Sequence, residues 1–132
     1  MSSLSDYGES IALKWLFTTD TVTRPTAWYV GLFTAAPSDS GGGTEVSGNG
    51  YARDATGTMT VSGTDPTLCT NSAAIEFAPA SGGNWGTITH IAIFDASTGG
   101  NMLGWAALSS SRIIYDGDIL RIPAGDLDIT LT

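Results

Sequence analysis

The chain has 132 residues, 42% of them hydrophobic with four Trp, four Tyr and four Phe, which suits one folded domain with its own core and argues against wholesale disorder. Only 14% are charged, thirteen acidic against five basic for a net charge of −8, a balance that repels phosphate backbones and anionic lipid and so argues against nucleic-acid and membrane partners. A lone cysteine, Cys69, allows no internal disulfide framework; without a leader-like start or an apolar run of about 20 residues, the expectation is a protein made in the cytosol and not membrane-embedded.

Residues 4–17 carry the one clear helical pattern. Ser5 or Asp6 can cap it, Glu9 suits the positive end of the helix dipole, Lys14 suits the negative end, and Tyr7, Ile11, Leu13, Trp15 and Leu16 recur at roughly helical spacing. Gly8 weakens such a helix by up to about 1 kcal/mol relative to Ala, so the helix needs a docking surface, on its own domain or on a neighbouring subunit.

After Thr18 the texture turns to β-branched and aromatic runs punctuated by Gly, Pro, Asn and Asp, which predicts strands over 27–34, 58–62, 73–78, 87–94, 102–108, 111–115, 118–122 and 127–131. The first is apolar on both faces, as expected of a central strand covered by an opposing sheet on one side and by the helix on the other. The last alternates Leu127, Ile129 and Leu131 with Asp128 and Thr130, the period-two pattern of a half-buried strand. Residues 95–101 read as a hairpin loop and 115–118 as a tight Asp-Gly turn. Residues 34–57, with Gly41-Gly42-Gly43 and Gly48-Asn49-Gly50, show no period and read as a long loop, a candidate contact region. The expected fold is all-β, an antiparallel jelly-roll-like β-sandwich with one N-terminal α-helix, forming a single domain over 1–132.

Motifs that carry chemistry are scarce. The glycine-rich stretch lacks the Gly-Lys-Ser/Thr ending of a phosphate loop. His90, the only histidine, falls inside a strand, where a hydrogen-bonded structural role outweighs that of a general base. Asp116, Asp118, Asp126 and Asp128 could supply oxygen ligands to calcium, but their spacing matches no EF-hand and turn formation accounts for them. Trp15, Trp28, Trp85 and Trp105 could stack on sugar rings; core packing is the plainer reading, and Trp85, after Ser81-Gly82-Gly83-Asn84, is the candidate exposed aromatic. No catalytic, cofactor or metal residue is assigned.

Several segments together carry a resemblance. They are Ala27-Trp28-Tyr29-Val30-Gly31-Leu32-Phe33, Thr44-Glu45-Val46-Ser47-Gly48, Tyr51-Ala52-Arg53, Trp85-Gly86-Thr87-Ile88-Thr89-His90-Ile91-Ala92-Ile93-Phe94, and the ending from Gly117-Asp118 to Leu131. Read as a set, the chain resembles a family of small tailed-bacteriophage and prophage virion proteins, described as tail-fibre-like, minor tail or capsid-decorating. The resemblance implies a non-enzymatic structural protein of the virion, decorating the capsid or attached to the tail or fibre. Its implied partners are other virion proteins, and virion symmetry adds the expectation of a homo-oligomer. A carbohydrate- or receptor-binding module using Trp85 and Tyr51 is the alternative. The candidate subunit contacts are Tyr7, Ile11 and Trp15 on the helix and Glu45, Tyr51 and Arg53 in the long loop, with Arg53 expected to pair with a carboxylate at a subunit contact.

Overall fold

A computed structural model describes residues 4–131. Ser5, in extended conformation, caps α1 (Asp6–Phe17): its Oγ accepts the Gly8 N–H at 3.0 Å, with Asp6 and Glu9 in the first turn and Lys14 in the last. The Ser5 N–H donates to the Leu103 carbonyl at 2.8 Å and the Asp6 N–H to the Asp39 carbonyl at 2.9 Å. Gly8 is the helix's buried residue, seated so closely on the chain that a Cβ there would lie 2.4 Å from the Leu103 carbonyl oxygen. The residue that weakens the helix locally is thus the one that lets it dock.

Ten strands follow among the described residues: β1 (Tyr29–Ala35), β2 (Thr44–Glu45), β3 (Asp54–Ala55), β4 (Met59–Ser62), β5 (Thr67–Asn71), β6 (Ile75–Glu76), β7 (Gly86–Phe94), β8 (Met102–Ile114), β9 (Arg121–Ile122) and β10 (Asp128–Leu131). The main antiparallel sheet runs β2-β1-β7-β8, with β3 sharing the outer edge of β1 with β2. A second sheet has the order β10-β5-β4, and β6 pairs with β9. All pairings are antiparallel, and the architecture is an all-β, sandwich-like fold with one short helix.

The core lies on one face of the main sheet. Val30 and Leu32 of β1 meet Ile88 and Ile93 of β7, and these pack with Ile75, Phe77, Trp85, Leu120 and Leu127 from the smaller sheets and their connections. Full burial of each such aliphatic side chain contributes roughly 1.5–3 kcal/mol. Across the sheet, Phe33, Ala92 and Phe94 form a second cluster with Met102 and Trp105 packed against it. β1 is therefore interior and apolar on both faces, as its composition predicts. Its second face is not covered by the helix, however: α1 packs on β8, and the segment 36–53 supplies the roof instead.

Four further differences from the expected elements have local causes. The long loop 34–57 contains β2 and β3, each too short to show a period. β5 lies in a stretch with no expected strand, yet is the middle strand of the second sheet, and its Asn71 is fully buried. The Asn71 amide nitrogen donates to the carbonyls of Ala73 and Pro123, and its oxygen accepts the N–H groups of Gly125 and Leu127, which pins the turn before β10. The expected strands 73–78 and 118–122 contract to β6 and β9. Finally, 102–108 and 111–115 are parts of one strand, β8, but pairing jumps from His90↔Ala107 to Ile88↔Arg112, so residues 108–111 bulge at the point where the sequence suggests a break.

Candidate functional site

Two regions hold the expected contact residues. The first lies along the outer edge of β1, where β3 pairs with Tyr29 and Val30 while β2 pairs with Phe33 and Ala35. In the gap between them the Leu32 N–H donates to the Tyr51 hydroxyl at 2.9 Å, so a side chain completes the ladder. The same hydroxyl donates to Glu45 Oε2 at 2.7 Å. Arg53 holds Glu45 with both ends of its fork, Nε to Oε2 at 2.8 Å and Nη2 to Oε1 at 2.9 Å. Its Nη1 donates to the carbonyls of Ala96 at 3.0 Å and Gly99 at 2.8 Å, tying the long loop to the β7–β8 hairpin loop.

The guanidinium carbon lies 3.5 Å from the centroid of the Phe94 ring, within cation–π range. Beneath this clamp a Cβ at position 31 would stand 2.8 Å from Glu45 Oε2 and 3.1 Å from the Phe94 ring, so any residue larger than Gly31 has to displace the clamp.

The electrostatics follow from these contacts. Burial alone raises the pKa of the Glu45 carboxyl, but the hydrogen bonds from Arg53 and Tyr51, with the charge of Arg53, outweigh it and hold the carboxyl below its ordinary value. Burial and the hydrogen bond to Glu45 push the Tyr51 phenol well above its usual range. A carboxylate with both oxygens engaged and a phenol that resists ionisation make a structural clamp rather than an acid–base pair. The carboxylate that Arg53 is expected to pair with is Glu45 of the same chain, and only 9% of the Arg53 side chain is exposed.

Trp85 is not the exposed aromatic that the sequence suggests. It is 6% exposed, its Nε1 donates to the Asn49 carbonyl at 2.9 Å, and its ring stands edge-on to Tyr51 at 5.4 Å. The polar run 81–84 before it suggests exposure, but the loop carrying Asn49 folds over the indole. Tyr51, the other aromatic of the sugar-binding alternative, is partly buried, packs against the core and stacks with Phe77.

The second region is α1, where the first turn is anchored and the rest is not. Leu13, Trp15, Leu16 and Phe17 are 57%, 67%, 60% and 77% exposed. Ile11 and Trp15 line an apolar groove with Val22, Pro25 and Leu103, while Tyr7 borders a second groove with Asp39 and Asn101. Sequence reasoning names Tyr7, Ile11 and Trp15; it passes over Leu13, Leu16 and Phe17 as contact residues, although their i, i+3, i+4 spacing is visible in the sequence.

His90 and Asp118 are engaged within the chain. His90 Nδ1 is 2.8 Å from the Thr89 hydroxyl, and the ring lies beside Trp105. Asp118 Oδ2 accepts the Tyr115 N–H, closing the tight turn at Gly117. Among the described residues no three His, Cys, Asp or Glu come close enough together to hold a metal ion, and no helix is long and apolar enough to cross a membrane. Burial pushes the Cys69 thiol pKa up, which disfavours the reactive thiolate.

A search of curated proteins finds no match to the chain. A family model does match, over residues 3–130, and it is described as podophage GP4 fiber I protein gp80. This is the tailed-phage virion kinship to which the segments around Trp28, Glu45, Arg53 and His90 point, and the chain belongs to that family.

Proposed function

We propose that the protein is a non-enzymatic building block of a tailed-phage virion, seated in the fibre apparatus rather than on the capsid surface and joined to other virion subunits through α1. The observation that carries this reading is the C-terminal half of α1, whose Leu13, Trp15, Leu16 and Phe17 stand in solvent on a helix rigidly anchored at its base. A helix that is apolar on more than one side is built to be covered. Fibre rather than head is supported by the description of the family.

A structural rather than catalytic role is supported by the commitments of the polar side chains. Glu45, Tyr51 and Arg53 are spent on holding the long loop, and Asp118 and His90 on local bonds. A sugar- or receptor-binding role loses the two aromatics it relied on, since Trp85 is covered and the Tyr51 hydroxyl is engaged. Gold-labelled antibody on purified virions tests the reading. Label along the tail fibres is the expected result; label over the head, or protein found only free in the lysate, overturns it.

A further inference from the structure

We infer that Asn49 is a latent site of covalent modification: the fold withholds its side-chain amide from the Gly50 nitrogen, and opening of the 44–53 loop permits a deamidation that then keeps the loop from closing over Trp85. Asn49-Gly50 is the one Asn-Gly step in the chain, and it is exposed to water. Glycine in second place leaves no side chain beside the attacking nitrogen to hinder its approach.

In the folded chain that approach is blocked. Residues 48–51 form a tight turn in which the Tyr51 N–H donates to the Gly48 carbonyl at 3.0 Å. Asn49 and Gly50 have φ of 52° and 78°, the paired left-handed values of a type I′ turn. Left-handed backbone carries ψ near about +47°, which turns the following nitrogen away from Cβ and so keeps Gly50 N from Cγ.

The surroundings hold Asn49 in that conformation. Its carbonyl accepts the Ser81 N–H and the Trp85 indole N–H, both at 2.9 Å, and its Nδ2 donates to the Asn84 carbonyl at 2.9 Å. Gly83 lies so close behind the amide that a Cβ there would stand 3.0 Å from Asn49 Cγ.

Two effects oppose each other. The hydrogen bonds to the Asn49 carbonyl draw charge from the peptide group and favour loss of the Gly50 N–H proton. The rotation that brings this nitrogen to Cγ, however, swings the same carbonyl away from both donors and breaks the turn. Attack therefore waits until the loop opens and these four hydrogen bonds are lost.

In the open loop the Gly50 nitrogen bonds to Cγ, the Cγ–Nδ2 bond breaks, and the amide nitrogen leaves as ammonia with the proton that Gly50 gave up. Water then opens the cyclic imide at either carbonyl, giving aspartate or isoaspartate. Either product sets a carboxylate where an N–H donated to Asn84, and isoaspartate also lengthens the backbone of the turn. The carbonyl that capped Trp85 and Ser81 is then displaced.

The test ages the full chain, folded and in urea, in warm, mildly alkaline buffer, follows each asparagine by peptide mass spectrometry and detects isoaspartate with an isoaspartyl methyltransferase. In urea Asn49 is expected to convert ahead of Asn71, Asn84 and Asn101; another asparagine converting first overturns the assignment. In the folded chain Asn49 is expected to convert on the order of 100-fold more slowly, and an equal rate overturns the protection.

Arg53→Ala, which unfastens the loop, is expected to recover much of that rate with a native far-UV spectrum; should it unfold, wild type in urea below its transition supplies the same test. A loosened, folded chain that converts no faster than wild type overturns gating by the loop. The aged chain, returned to native buffer, is expected to unfold at lower urea and to be cut faster within 44–53. Stability equal to that of the unaged chain overturns the loss of closure.

Discussion

Between Thr44 and Arg53 the chain is rich in glycine and polar side chains, the composition of a mobile contact loop, yet its central side chains are fastened by a bidentate ion pair, a tyrosine that completes the β1 ladder and a guanidinium laid on Phe94. In α1 the composition is that of a core helix, yet Leu13, Trp15, Leu16 and Phe17 face solvent. The contrast teaches that accessibility follows from what each side chain can complete within its own chain. Arg53 finds a carboxylate, two carbonyls and an aromatic face within reach; the last two turns of α1 find no apolar surface beyond the groove at Leu103.

The comparison can be broken at several points. The largest effect is expected at Trp85, which joins the loop to the core: Trp85→Ala removes a buried indole and its bond to Asn49 and should destabilise the fold by about 3–5 kcal/mol in urea unfolding. Arg53→Ala leaves Glu45 half-buried without its cation and frees the hairpin loop. A loss of about 2–4 kcal/mol is expected, together with faster proteolysis within 44–53 and 95–101, and an unchanged melting curve contradicts the clamp.

Glu45→Gln sharpens the electrostatic part. Because the folded-state pKa lies below the ordinary 4.5, the contribution of Glu45 is complete above that value and fades as pH falls through the folded pKa. The stability gap between wild type and Glu45→Gln should therefore be widest near neutral pH and close on acidification, and a gap independent of pH contradicts it. The smallest effect is expected on the helix. In dilute solution Phe17→Ser should change stability by no more than about 0.5 kcal/mol, because that ring contributes nothing to the fold of a single chain.

Much of the architecture was legible in the sequence. The Ser5 cap, the two-faced apolar run of β1, the strand ending at Phe94, the hairpin loop after it and the Gly117 turn all follow from local chemistry. What escaped depends on contacts between distant segments. β2 and β3 are two-residue strands that exist because β1 offers an edge, and the value of β5 rests on Asn71 reaching the turn at residues 123–127.

The burial of Trp85 is likewise decided by Asn49, thirty-six positions away in the chain. At the candidate site the residue types were legible and their partners were not: Glu45, Tyr51 and Arg53 stood out together, but only the folded chain shows that they satisfy one another. The exposure of Leu13, Leu16 and Phe17 has no local signal, since the same spacing in a buried helix reads identically.

The most direct test of the central claim, that α1 and not the 44–53 loop joins this subunit to the virion, is to quantify the Leu16→Glu/Phe17→Glu variant in purified particles of a phage that lacks the wild-type protein. The account predicts a folded, soluble variant that is missing from the particles. Incorporation at the wild-type level would contradict it.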